Sequence, residues 1–189
     1  QVTGLPNRLV ALHAVNLLYS VDQKGAVAVF FIDLDGFKRV NDNLGHDVGD
    51  DLLRQVGRRI IERGLGMDCC SMDTCVTALG ERQSTAPTTP IVARLGGDEF
   101  VVVLSGEETS GALTAKAEAI REALVRPFTV DDSEVYVSAS IGIARMPEDA
   151  HDPESLLVCA DLAMYAAKQW GRNRIAHYKP SMSEVSARR

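Results

Sequence analysis

The sequence predicts an α+β sandwich, with helices packed on a largely antiparallel sheet, and three observations carry that reading. Strand-like and helix-like segments are mixed along the chain. A Gly-Gly pair between two apolar runs, "IVARL" and "EFVVVL", marks an antiparallel hairpin in the middle. The run "AVAVFFIDLD" is β-branched and aromatic with no polar residue before Asp33, as expected of a strand buried on both faces. A doubly wound parallel sheet fits this order less well.

The elements follow in order. "TGLPNR" supplies turn chemistry, with Pro6 suited to a first helical position, and "LVALHAVNLLYSV" has helical spacing up to about Gly25. "AVAVFFIDLD" is the candidate central strand. The next 29 residues, from Gly36 to Gly64, read as two helical pieces parted in the Gly45 to Asp50 region, with Asp50 or Asp51 capping the second. From Leu65 to about Pro90 the pattern dissolves into Gly, Cys, Ser, Thr and Pro, which predicts a long surface loop. After the hairpin, "TSGALTAKAEAIREALV" is a helix and "EVYVSASIGIARM" a strand. "DPESLLVCADLAMYAAKQWG" is a helix with Pro near its start and Gly171 at its end. "RIAHYK" forms a last short strand, and residues 179–189 begin a connector.

At 189 residues the chain fits one domain able to bury a core without disulfides or metals. No apolar run approaches the roughly 18 residues that span a bilayer. With 20 Lys and Arg against 26 Asp and Glu, the net charge of -6 offers no broad attraction for nucleic acid, so any phosphate must be held by a few placed cations or a metal. Cys69, Cys70, Cys75 and Cys159 lack the spacing of a zinc site. Without a signal peptide, a reduced, cytoplasmic setting is expected for this domain, with a membrane anchor elsewhere in a longer protein still compatible. The chain begins at Gln1 rather than Met and is read as a piece of something longer.

The chemistry concentrates in carboxylates at strand ends. Asp33 closes the central strand, and Asp98 and Glu99 follow the glycine pair. Brought together, they would suit Mg²⁺, which binds through one or two carboxylates plus substrate phosphates. Apart, they would simply face water. An EF-hand is excluded because Leu44 stands where its bidentate Glu belongs, and no Walker A, nucleophile-elbow or Rossmann motif occurs. Gly96 and Gly97 serve a tight turn, or let a nucleotide approach the backbone closely. Lys168 and Arg172, four residues apart, can put two cations on one face, against the helix dipole or on a phosphate.

"RLGGDEF", together with "FFIDLDGFKRVNDNLGHDVGDDLL", "VSASIGIA", "DLAMYAAKQWGRNR" and the opening "TGLPNR", closely resembles the GGDEF family of diguanylate cyclases. The resemblance covers residues 1–178, interrupted by an inserted loop at about 65–90. It implies a nucleotide-cyclase palm, a mostly antiparallel sheet surrounded by helices, and the condensation of two GTP into cyclic di-GMP with release of two pyrophosphates. It implies that Asp33, the carbonyl of Leu34 and Asp98 bind Mg²⁺ or Mn²⁺. Asn41 and Asp50 would read guanine, with His46 near the base. A carboxylate accepts from guanine N1–H and its amino group, donors that adenine does not present together. Some ATP-accepting relatives carry Ser at the place of Asp50, so its presence points to GTP. Lys38, Lys168 and Arg172 would contact the triphosphate, with Gly36 and Phe37 in the loop backing it. Asp98 or Glu99 would assist deprotonation of the attacking 3′-hydroxyl. Each subunit would present one GTP, so turnover would need a homodimer, and low activity is expected of this domain alone.

Two departures stand out. Many relatives carry an inhibitory R-x-x-D product site just before the signature, and here that stretch is Pro87-Thr88-Thr89-Pro90, so feedback inhibition through it is not expected. The loop at 65–90 replaces a short connection. At the other end, "SMSEVSARR" resembles the link that joins such domains to an EAL-type phosphodiesterase domain, and a linked sensor domain is also expected. Every matched catalytic position holds a competent residue, which favours a cyclase. The rivals are a GTP-binding regulatory module without turnover and a dimerisation scaffold.

Overall fold

The computed structural model describes residues 2–21, 26–68, 90–105 and 109–186. Strand β1 (Val27–Asp35) is the centre of a five-stranded sheet of order β2-β3-β1-β6-β7, with β2 at Ile91–Gly96, β3 at Glu99–Ser105, β6 at Ser138–Met146 and β7 at Ile175–His177. All neighbours are antiparallel except β6 and β7, which run parallel. Because successive side chains alternate across a strand, β1 feeds two cores. Ala28, Phe30, Ile32 and Leu34 meet α2 (Phe37–Leu44), α3 (His46–Arg59, continued by a π-helical turn over Ile60–Gly64) and α4 (Ser110–Val125). Val27, Val29 and Phe31 meet α1 (Arg8–Val21) and α5 (Pro153–Gln169). The α+β sandwich and the doubly buried central strand are as the sequence predicts.

Caps account for the helix starts. Asn7 Oδ1 accepts the Val10 N–H at 3.2 Å, so Asn7 caps α1 and Pro6 precedes the cap rather than opening the helix. Thr109 and Asp152 accept N–H groups of the first turns of α4 and α5. Neither Asp50 nor Asp51 caps α3. The break falls at Gly45, whose φ of 91° lets the chain turn sharply, and both acids lie inside the helix that begins at His46.

"EVYVSASIGIARM" is not one strand. Ser133–Val135 (β5) pairs with Phe128–Val130 (β4) in a separate two-stranded ribbon, and the large sheet resumes at Ser138. The ribbon turns on Asp131 and Asp132, with φ of 46° and 59°, the positive pair that a two-residue hairpin turn requires. A short helix α6 (Ser181–Ser186) follows β7. The predicted loop, Cys69, Cys70, Cys75 and Pro87 to Thr89 lie almost wholly or wholly outside the described residues. Among those described, no helix is long and apolar enough to cross a membrane.

Candidate functional site

The site is built where β1 ends. Asp33 and Asp35 are odd-numbered positions on the α5 face, and Gly36, with φ of 86°, swings the chain straight into α2. Asp33 stands directly across the ladder from Glu99. The hairpin turn differs slightly from expectation: Gly96 is still paired, with Glu99, so the two turning residues are Gly97 and Asp98. Arg94 donates to the Gly97 carbonyl at 2.7 and 3.0 Å, and the Leu34 N–H donates to the Asp98 carbonyl at 3.3 Å. Those bonds hold the tip against β1.

Asp33, Leu34, Gly36, Phe37, Lys38, Asp98, Lys168 and Arg172 line one cleft of about 770 Å³. Lys168 stands 2.6 Å from Asp33 Oδ1, and this buried oxygen takes no other partner among the described residues. Burial pushes the Asp33 carboxyl above the usual carboxylate range, with Asp98 and Asp35 adding to the rise and Lys168 opposing it. Glu99 is raised likewise, by burial first and then by Asp161, Asp33 and Asp98. Asp161 on α5 is itself raised by burial.

Lys168 and Arg172 do reach the same cleft, though not by helical spacing. Arg172 lies past the end of α5 in a left-handed conformation, φ 62°. Asp35 fixes that turn. It accepts from Ser138 Oγ at 3.0 Å, Ser140 Oγ at 2.9 Å and the Asn173 N–H at 3.0 Å, with Arg172 Nε at 4.0 Å. Asp35 is thus a bracing residue that sequence reasoning passed over. The alternation of Asp33 and Asp35 opposite Ser140 and Ser138 was its only sequence signal.

Asn41, His46 and Asp50 do not line this cleft; they gather at the α2–α3 corner beside it. Asn41 Oδ1 is buried without a partner among the described residues and lies against Gly49, where a Cβ would come within 1.8 Å of it. His46 is exposed at the first residue of α3.

The donor set suits a hard divalent cation: two carboxylates, one of them carrying a buried oxygen whose one partner among the described residues is Lys168, and a backbone carbonyl between them in sequence. No three His, Cys, Asp or Glu side chains converge as a ready-made cage among the described residues.

The family described as "Diguanylate cyclase, GGDEF domain" matches residues 1–69 and 71–174. The chain belongs to the GGDEF family. This GGDEF domain is 37% identical over 183 residues to the Escherichia coli cyclic di-GMP phosphodiesterase PdeR, covering 97% of this chain and 24% of that protein. It is 36% identical over 184 residues to the Pseudomonas aeruginosa bifunctional diguanylate cyclase/cyclic di-GMP phosphodiesterase MucR, covering 96% and 24%. The chain therefore spans about a quarter of the length of these two relatives. Its fold matches the crystal structure of the GGDEF domain of YfiN (TpbB) from Pseudomonas aeruginosa with a TM-score of 0.74 and 34% identity, covering 94% of this chain and 98% of that one.

Proposed function

We propose that this domain is a diguanylate cyclase that joins two GTP into cyclic di-GMP at a dimer of half-sites. The observation that carries the reading is the single cleft that gathers Asp33, Asp98, Lys38, Lys168 and Arg172 across the end of β1. In each of two steps a 3′-hydroxyl oxygen bonds to the α-phosphorus of the facing nucleotide, the bond to pyrophosphate breaks, and the hydroxyl proton passes to a base.

Lys38, Lys168 and Arg172 hold the triphosphate and offset the charge that grows on it, the main protein contribution to phosphoryl transfer. Lys168 reaches the phosphates by leaving Asp33. Asp98, which lines the cleft, or Glu99, which stands across the ladder from Asp33 and whose proton affinity is raised by burial and then by Asp161, Asp33 and Asp98, takes the proton. Asn41 and Asp50 read guanine from the α2–α3 corner. Asp33, Asp98 and the Leu34 carbonyl would hold Mg²⁺ or Mn²⁺, which would supply positive charge to offset that of the phosphates and to acidify the hydroxyl. Residues 179–189 would lead into a further domain, such as an EAL-type one.

One finding favours a second reading. PdeR, similar over nearly the whole chain, is named a phosphodiesterase and not a cyclase, and on that reading the present domain would bind GTP without turnover and control a neighbouring domain. Incubation of concentrated protein with GTP and Mg²⁺, followed by chromatography, separates the two. The cyclase yields cyclic di-GMP, and Asp98→Ala lowers the yield by about a hundredfold or more. Bound but unconverted GTP in the wild type would establish the regulatory module instead.

A further inference from the structure

The cleft is longer than the residues this reading assigns. From Asp98 at the hairpin it crosses the end of β1 and runs on to the start of β6, where Arg39, Val125, Tyr136, Val137 and Ser138 form its other end. Four cations line it, Lys38, Arg39, Lys168 and Arg172, against three carboxylates, Asp33, Asp35 and Asp98. Lys168 and Arg172 already face Asp33 and Asp35. Lys38 and Arg39 are different: among the described residues neither side chain has a carboxylate partner or a hydrogen-bond acceptor, and Arg39 alone of the two carries a planar fork.

Its position is specific. Arg39 Nη2 lies 3.2 Å from where a Cβ would stand at Gly36, so the guanidinium folds over the glycine turn that starts α2. The Arg39 N–H donates to the Gly36 carbonyl at 3.0 Å, while the two N–H groups before it, at Phe37 and Lys38, have no intrahelical acceptor and add positive potential at the same place. An unpaired planar fork, above such a turn and inside a cleft, is suited to bidentate contact with a phosphate.

We propose that Arg39 is a further substrate-binding residue, which grips the terminal phosphate of a nucleoside triphosphate at the β6 end of the cleft and selects triphosphate over diphosphate. The inference rests on the nucleotide reading above. The α-phosphate must lie at the acids where the new bond forms, so the chain extends away from the hairpin, past Lys168 and Arg172, toward Arg39. Val125 and the exposed ring of Tyr136 wall that end.

Calorimetry with 3′-deoxy-GTP and 3′-deoxy-GDP in Mg²⁺ tests this, since neither nucleotide has the attacking hydroxyl. Arg39 is exposed and off the core, so Arg39→Ala should melt like the wild type. It should bind the triphosphate about tenfold more weakly, the worth of one charge-assisted contact, and the diphosphate about twofold more weakly at most, with Arg39→Lys in between. Wild type that binds the triphosphate while R39A keeps the same triphosphate-to-diphosphate ratio overturns this inference alone. Wild type that binds neither nucleotide overturns the cyclase reading with it.

Discussion

Asn41 depends on a residue eight positions away that has no side chain. Its buried Oδ1 lies so close to Gly49 that a methyl group there would sit 1.8 Å from it. Alanine inside α3 favours the helix by about 1 kcal/mol relative to glycine, so Gly49→Ala should leave the melting temperature nearly unchanged while it pushes Asn41 out of place. The expected result is about tenfold weaker binding of 3′-deoxy-GTP, with binding of inorganic tripolyphosphate untouched, because only the base contact is lost. Equal loss for both probes would remove Asn41 as a base reader. That Asp33, Asp98, Lys168 and Arg172 share one cleft is legible in the sequence, because their motifs are contiguous and their residue types limit the chemistry. Asp35 and Arg39 are not. The partners that define Asp35 come from Ser138, Ser140 and Asn173, 103 to 138 positions along the chain, and Arg39 is defined by the cleft it faces.

Long elements with strong periodicity or clear caps are legible in the sequence, and of the short ones β7 is legible while the β4–β5 ribbon and α6 are not. β1 announced itself by nine residues of nearly uniform apolar character, and α5 by Pro153 behind an Asp152 cap. The β4–β5 ribbon is hidden because its two three-residue strands carry no period and Asp-Asp is a weak hairpin signal beside Asn-Gly. The motif "VSASIGIA" was recognised, but the physical need for its glycine emerges only from the packing of β6 on α5. A Cβ at Gly142 would lie 2.1 Å from the Ala160 carbonyl oxygen and 2.2 Å from the Met164 nitrogen. Both obstacles are backbone, so no rotamer change relieves them, and the helix must move as a body. Gly142→Ala should therefore lower stability in urea unfolding by about 3 kcal/mol. The same displacement shifts Lys168 from its place in the cleft, so any folded fraction should also bind nucleotide less well. An unchanged unfolding midpoint would mean that α5 seats more loosely on the sheet than this contact requires.

Across the whole molecule, His177 joins the parallel edge of the sheet to the helix layer, and it makes the fold sensitive to acid. Its Nε2 lies 2.7 Å from Thr114 Oγ1 on α4; that hydroxyl donates to the Ser110 carbonyl, which leaves the imidazole as donor in the pair. Burial pushes the His177 pKa below its ordinary value of 6.5; Asp149 pulls it up, while Arg145 and Lys179 push it down. An unfolded chain would protonate this histidine near 6.5, before the folded protein does, so its contribution is complete above that pH and is lost as the pH falls toward the lower folded value. Asp33, Glu99 and Asp149, all raised by burial, act with the opposite sign, since the folded state takes up their protons more readily than the unfolded one. The net slope of wild type therefore mixes both effects, and a single substitution isolates one. His177→Gln keeps a donor for Thr114 but cannot charge. Urea unfolding at pH 7.5 and 5.5 should show wild type losing more stability on acidification than the variant, and parallel losses would assign the acid sensitivity to groups other than His177.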